Sequence, residues 1–439
     1  MFDIHLFFDW LNNYILALPS IILFLAVTIF LTIQTRFIQI RGLPRFFKLV
    51  FGGVKEMKKQ EKETINPFHA LFAAMATTIG MGNVVSPSLA IMIGGPGALF
   101  WLISYILFGS VTKYVEVSYA LDTRAYLDDG FILGGPIQYL RTVGNWLANW
   151  YGYLIIFVVL SWSSGQANTL ANIMVLEGVP KWVVGLALAS FVFLAMSGGA
   201  KRVGEFASKL VPIMFVLYVT FALSILLQNI PALISATRLV FQNAFNPSAA
   251  VGGFLGASVL QAVREGMFRG IFVTESGLGT SSIPHSLADT KNPTDQGVLA
   301  MGSVLADAFL SILSGMLVLV TGIWSLGAFR STLIYEVFKL QAPGIGQYVL
   351  LFSVTLFVLT TAMGNTLNGM QSFGILVKDN RFYMNCYMAL TVSMIFAGAL
   401  VPMKLLWDII DTLVLFVAVP NLIGITLLAY RRPEVLRLK

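Results

Sequence analysis

Eleven times between residues 15 and 430 the sequence runs for about 20 residues with little or no charge, the length that carries an α-helix across a ~30 Å hydrocarbon core. Lipid is the solvent that suits such runs. Backbone N–H and C=O groups in lipid need partners within the protein, so each run is expected to be helical, not a strand of an open sheet. The runs cover 15–35, 67–95, 97–120, 148–175, 181–199, 206–227, 252–288, 297–325, 346–373, 384–402 and 405–430, with no room for a large soluble domain between them. Composition agrees: 11% of the residues are charged, against roughly 25% in an average globular domain. The first run is expected to stay in the mature protein, because MFDIHLFFDW before it has no basic region and no small-residue cleavage site follows.

Lysine and arginine set the orientation. With the N-terminus outside, 21 of the 28 fall in or beside cytoplasmic loops and the C-terminal tail, 5 fall in the opposite loops, and Arg264 and Arg269 lie within the seventh run. That bias satisfies the positive-inside rule for an odd number of spans, N-out and C-in. The net charge of +7 therefore marks topology and contact with membrane lipid, not nucleic acid. A single cysteine, Cys386, excludes an intrachain disulfide. His5, His69 and His285 have no metal-ligand spacing, so neither a metalloenzyme nor a resident cofactor is expected.

Two runs are long and interrupted: TTIGMGNVVSPSLAIMIGGPGALFW (77–101) and GMFRGIFVTESGLGTSSIPHSLADT (266–290). The first opens a block of five runs, 67–227, and the second opens another, 252–430, of opposite sense. Paired interrupted helices at matching places in mirrored halves are the mark of an inverted five-plus-five repeat with a transport site near the midplane. Residues 1–66 then form an extra N-terminal helix and basic loop, 228–251 an external amphipathic linker, and 431–439 a basic tail. Glycines 80 and 82 are expected to unwind the chain and free backbone groups. Such a break persists in a membrane only where it lines a cavity; its free amides suit a carboxylate and its carbonyls a small cation. A lone GxG more often serves close helix packing; two breaks in register point to a site.

The motifs also resemble a known family, the alanine or glycine:cation symporters, also called sodium:alanine symporters. TRFIQIRGLPRF (35–46), IGMGNVVSPSLAIMIGGPGALFW, VTKYVEVSYALDTR (111–124), GGPIQYL (134–140), GQANTLA (165–171) and GGAKRVGEFASKLVPIMFVLY (198–218) occur in that family's order. RGIFVTESGLG (269–279), TLNGMQSFG (366–374) and WDIIDTLVLFVAVPNLI (407–423) complete the set. The resemblance implies an all-α polytopic protein of the LeuT-type inverted-repeat fold in a bacterial cell membrane, taking up small neutral amino acids with sodium. It implies that Thr78, Met81, Gly82 and Asn83 face the substrate, that Gln166 borders the pocket and that Phe272 covers it. Carbonyls of Ala76 and Ile79, with Asn365 and Thr366, would hold sodium; Thr366 serves equally as a contact for the substrate amino group.

Departures from the family pattern bear on specificity. The family usually has threonine at Met81, serine-asparagine at Val273 and Thr274, serine at Asn365 and tryptophan at Met370. Methionine is more flexible than an indole, so a broader range, reaching larger side chains than alanine and glycine, is expected. Asn365 keeps an oxygen ligand of another shape, which leaves proton coupling as the alternative to sodium. Pairing within the membrane is expected to brace Glu275, Arg264, Glu265 and Arg269, and Lys113 with Glu116 forms a local pair one turn apart. Asp307, Asp408 and Asp411 are the other candidate protonatable groups. A channel is the competing class, but two antiparallel halves in one chain favour a carrier. An embedded enzyme would need a nucleophile motif such as GxSxG or HExxH, and neither occurs.

Overall fold

Charge-poor runs and glycine breaks lead to an all-helical bundle. The computed structural model describes residues 11, 17–52, 64–128, 130–246, 259–326 and 332–438. His5, Arg330 and residues 247–258, where the expected linker ends and the seventh run begins, lie outside the described residues.

In chain order the helices are α1 (Ala17–Gln34), α2 (Ile38–Arg41), α3 (Leu43–Gly52), α4 (Pro67–Thr78), α5 (Met81–Gly94) and α6 (Gly97–Asp122). A two-residue hairpin, β1 (Ala125–Tyr126) with β2 (Ile132–Leu133), precedes α7 (Gly135–Arg141), α8 (Asn145–Met174), α9 (Lys181–Met196), α10 (Gly199–Gln228) and α11 (Ile230–Phe245). Then come α12 (Val259–Thr274), α13 (Ser282–Ser286), α14 (Pro293–Thr321), α15 (Leu333–Gln341), α16 (Gly346–Val377), α17 (Arg381–Leu400) and α18 (Met403–Arg431). Among the described residues 8 spans are long and apolar enough to cross a bilayer, or 9 if α1 and its 59° bent continuation count as one. The difference from eleven lies in α9, of 16 residues, and in α12, also 16 residues long and carrying Arg264, Glu265 and Arg269.

Local chemistry fixes the ends. Asn66 Oδ1 accepts the Phe68 N–H ahead of Pro67, so α4 starts with a side-chain cap and a residue that needs no donor partner. Asn380 Oδ1 does the same for α17, accepting from Phe382 and Tyr383. Gly322, at φ +70°, terminates α14 in the left-handed conformation that glycine adopts without a Cβ penalty.

Two helices form the inner columns. α6 packs against α12 and α14, and α8 packs against α16, α17 and α18. α5 lies directly on α12, so the two broken spans meet each other. α1 lies outside them, with Ile21, Phe24, Val27 and Leu31 buried along one stripe and Ile22, Leu25, Ile29 and Ile33 exposed on the other. That outer apolar face suits lipid. A short parallel bridge ties the start of the first broken span to the end of the second: Ile65 N–H donates to Leu287 O at 2.9 Å, and Asp289 N–H donates to Ile65 O at 2.8 Å.

Glycines set the closest approach. A Cβ at Gly266 would fall 2.3 Å from Ala98 O, and one at Gly270 would fall 3.0 Å from Leu102 O, so the small-xxx-small face of α12 rides on the backbone of α6. Gly266→Ala is expected to lower the thermal midpoint of the purified protein, at a cost of about 1–3 kcal/mol. An unchanged midpoint in detergent would contradict this packing.

Candidate functional site

The first break is shorter than the sequence suggests. α4 ends at Thr78, Ile79 and Gly80 are extended, and the helix resumes at Met81. Gly80 has a φ of −148°, which any residue can adopt; glycine is required because a Cβ would lie 2.4 Å from Thr361 Oγ1 on α16. Gly82 is already helical and faces the Phe272 ring, 3.4 Å from where its Cβ would be. Side chains satisfy the freed groups: Gly80 N–H donates to Asn83 Oδ1 at 3.1 Å, Met81 N–H to Gln166 Oε1 at 3.4 Å, and Thr361 Oγ1 to Ile79 O at 3.4 Å.

The second break is longer and rests on backbone conformation. Glu275, Gly277 and Gly279 take φ of 55°, 90° and 83°, the left-handed region, before the single turn of α13. Its carbonyls are anchored from three helices: Tyr105 OH donates to Ser276 O at 3.0 Å, Tyr151 OH to Leu278 O at 2.8 Å, and Asn421 Nδ2 to Gly277 O at 2.8 Å. Thr274 Oγ1 accepts the Ser276 N–H at 3.2 Å.

Between and behind the breaks lies a fully buried set of charges. Lys113 Nζ stands 3.7 Å from Asp307 Oδ2. Asp307 Oδ1 accepts from Asn83 Nδ2 at 3.2 Å, and Thr78 also faces this carboxylate. Glu116 Oε1 accepts the Gly279 N–H at 3.1 Å and Asn421 Nδ2 at 2.7 Å. Glu275 Oε2 accepts from Thr280 across its own break and from Thr77 of α4 at 3.5 Å. The expected local Lys113–Glu116 pair is thus replaced by two longer connections, Lys113 to Asp307 of α14 and Glu116 to Gly279 of the second break and Asn421 of α18. Arg264 pairs with Glu265 at 2.9 Å, while Arg269 reaches Asp411 of α18 at 3.5 Å. Glu275 is braced by hydroxyls instead of an arginine.

The remaining candidates fall on two faces. On α16, Thr361, Asn365 and Asn368 follow helical spacing toward the first break, with Gly364 against Thr77. Asn365 Oδ1 and both polar atoms of the Asn368 side chain are buried without a hydrogen-bond partner among the described residues. Thr366 is buried and its hydroxyl donates to Ala362 O at 2.7 Å. Ala76 and Met81 are buried in the same core cluster. Phe272 is 8% exposed and sits between two indoles, with ring centroids 6.0 Å from Trp162 and 5.1 Å from Trp407. Met370 lines a cavity of about 200 Å³ with Ile132, Met196, Leu367, Gln371 and Leu287 at the end of the second broken span, and none of the residues lining it belongs to the first break.

Sequence reasoning missed Thr361, Thr77, Trp162, Trp407 and Asn421. A legible signal existed for Asn421, a lone amide beside Pro420 in a 29-residue apolar helix, since polar groups at membrane depth rarely lack a task. Thr361 and Thr77 carry no such mark, because threonine hydroxyls in helices ordinarily bond to their own backbone.

The sequence profile of the sodium:alanine symporter family matches residues 1–437. The chain belongs to the sodium:alanine symporter family. As a member it is a multi-pass membrane protein of a family that couples amino-acid transport to a cation. It is similar to the sodium/alanine symporter AgcS of Methanococcus maripaludis, with 31% identity covering 95% of this chain and 93% of that one. It is also similar to a Bacillus subtilis protein named as a probable sodium/glutamine symporter, with 29% identity covering 95% and 87%. In three dimensions it resembles MhsT, solved in complex with L-phenylalanine, with a TM-score of 0.60 and 15% identity over 86% of this chain and 90% of that one. That likeness fixes a LeuT-type fold for this sodium:alanine symporter family member.

The Asn83 oxygen accepts from Gly80 N–H within the first break, and its nitrogen donates to Asp307 of α14. Asn83→Ala is expected to cost about 1–3 kcal/mol, and Asn83→Asp more, because a second carboxylate would then face Asp307 in a buried setting. Thermal unfolding of the two variants checks the order; Asn83→Asp as stable as wild type would refute the assignment.

Proposed function

We propose that the chain is a sodium-coupled symporter that takes up small neutral amino acids such as alanine or glycine across the bacterial cell membrane by alternating access. The observation that carries this reading is the first break, where amide donors and carbonyl acceptors at membrane depth rest on long side-chain contacts, beside side-chain amide atoms of Asn365 and Asn368 with no partner among the described residues. A solute bearing a carboxylate, together with a small cation, supplies the missing partners. The positive end of the α5 dipole favours the carboxylate, and neutral carbonyl, hydroxyl and amide oxygens suit a hard cation.

In this reading Thr78, Met81, Gly82 and Gln166 border the substrate and Phe272 closes over it between its two indoles. Asn83 acts through its backbone, its side chain being engaged with Gly80 and Asp307. Carbonyls of Ala76 and Ile79, with Asn365 and Thr366, would take sodium, and Thr361 joins them because its hydroxyl already reaches Ile79 O. Met370 would shape the route to one side of the membrane, where its flexibility widens the range of side chains that pass. The proposed halves are 67–227 and 252–430, with the N-terminus outside, and they would rock against each other around the breaks.

Uptake of radiolabelled alanine into proteoliposomes is expected to require an inward sodium gradient and to vanish when choline replaces sodium. Gln166→Ala or Thr366→Ala is expected to raise the half-saturating alanine concentration about five- to tenfold. Normal transport by both variants would overturn the site assignment, and downhill flux without accumulation would indicate a channel.

One observation favours a second reading, proton coupling. Lys113 faces three buried carboxylates, Glu116, Glu275 and Asp307, so neutrality requires a bound cation or protons. If protons serve, an inward pH gradient without sodium is expected to drive alanine accumulation, and Asp307→Asn to abolish that drive. Absence of pH-driven accumulation, with sodium-driven uptake intact, would exclude it.

A further inference from the structure

Beyond the transport site, the end of α1 and the C-terminal tail build a basic cavity that the symport reading does not use. At Arg36 and Phe37 the chain takes φ of 55° and 59°, two consecutive non-glycine residues in the left-handed region, and turns by 59° into α2 and α3. Such a conformation costs roughly 1–2 kcal/mol per residue, so contacts elsewhere must hold the bend. The tail is one support: Gln34 Nε2 donates to Ala429 O at 3.0 Å, Tyr119 OH to Arg432 O at 3.0 Å, and Tyr114 OH to Leu436 O at 2.8 Å. Arg432 is fixed by Asp122 at 2.8 Å.

Between bend and tail lies a cavity of about 600 Å³, with Gln34, Arg36, Arg41, Pro433, Leu436 and Arg437 in its wall. Arg36, Arg41 and Arg437 make no ion pair among the described residues, whereas the neighbouring Arg45 and Arg432 both do. On the other side of the same bend is an apolar groove of about 260 Å³, lined by Phe37, Ile40, Leu107, Phe108, Val304 and Leu305. Phe37, Ile40 and Phe108 are 57%, 68% and 63% exposed, a face that suits hydrocarbon. α3 extends the pattern, with only Leu49 buried and Phe47 and Phe51 exposed, as in a helix lying in a membrane interface.

We propose that this bend is a binding site for an anionic phospholipid, its headgroup phosphate among Arg36, Arg41 and Arg437 and an acyl chain along the apolar groove. The pairing of free guanidinium groups with an adjacent hydrocarbon surface is what selects a lipid over a soluble anion. Guanidinium groups meet phosphate oxygens in bidentate geometry, and a zwitterionic headgroup would offer less net attraction. In the orientation proposed above, the lipid comes from the cytoplasmic leaflet.

Native mass spectrometry of the full chain, delipidated and titrated with phosphatidylglycerol or phosphatidylcholine, tests it. Phosphatidylglycerol is expected to bind more tightly at one site. Its affinity should fall about fivefold for each of Arg36→Gln, Arg41→Gln and Arg437→Gln, since a basic residue at a membrane surface contributes on this order. Lys201→Gln with Lys209→Gln, in another basic segment, should leave that affinity unchanged. Equal affinity for both lipids, or equal losses in the control, would overturn the proposal. Displacement of the lipid by millimolar inorganic phosphate would overturn it in favour of a soluble anion. Alanine-induced thermal stabilisation of each variant confirms an intact fold independently of the lipid readout.

Discussion

A backbone amide or carbonyl inside a bilayer must find its partner within the protein, and this requirement organises the chain's two interrupted spans. They meet it differently. At the second break, tyrosine and asparagine donors from α6, α8 and α18 hold the carbonyls at 2.8–3.0 Å, and Glu116 holds an amide. At the first break the corresponding contacts are side-chain bonds of 3.1–3.4 Å from Asn83, Gln166 and Thr361. Shorter, multiply supported bonds make a fixed wall. Longer ones exchange more readily for a solute's groups, so the first break suits the role of exchanging face and the second that of scaffold.

The charges tie the two together. Asp307 receives Asn83 from the first span and Lys113 from α6, while Glu275 receives Thr77 from the first span and Thr280 from its own. Buried charges at membrane depth are costly unless paired or hydrogen-bonded. A change in the charge near one carboxylate therefore alters the support of both breaks through a few hydrogen bonds and one ion pair. This is the kind of network through which a cation's arrival can bias which side of the protein opens.

Much of this was legible in the sequence because span length and glycine placement obey simple physics. α6, α8, α14, α16, α17 and α18 begin and end within a few residues of the apolar runs, since charge marks where lipid stops, whereas α15 falls in none of them. The site was legible only in part. Gly80 was expected to serve by unwinding, yet its φ is ordinary and its task is to admit Thr361, a contact set by a helix 280 residues later in the chain. Lys113 and Glu116 share a helix face, which suggested a pair; tertiary packing instead carries Lys113 to Asp307 of α14 and Glu116 to the second break. Met370 aligned with a pocket position by resemblance; in the fold it lines a cavity with Leu287, at the end of the second broken span, and with no residue of the first break. One-dimensional spacing fixes neighbours along a helix, and it does not specify which partner a buried charge or a packing gap will find.

The place of helix α1 follows from the same requirement. Gly277 lies in the left-handed region at the second break, and a Cβ there would come within 2.5 Å of the Phe24 ring. Phe24 is 1% exposed, while the residues on the opposite side of α1 face outward. Without that cover the second break would present irregular backbone to hydrocarbon, which the bilayer does not tolerate. By laying an aromatic ring over Gly277, α1 separates that backbone from lipid. Helix α1, which the proposed division of the chain leaves outside both halves, is thus tied to having a broken span at that position.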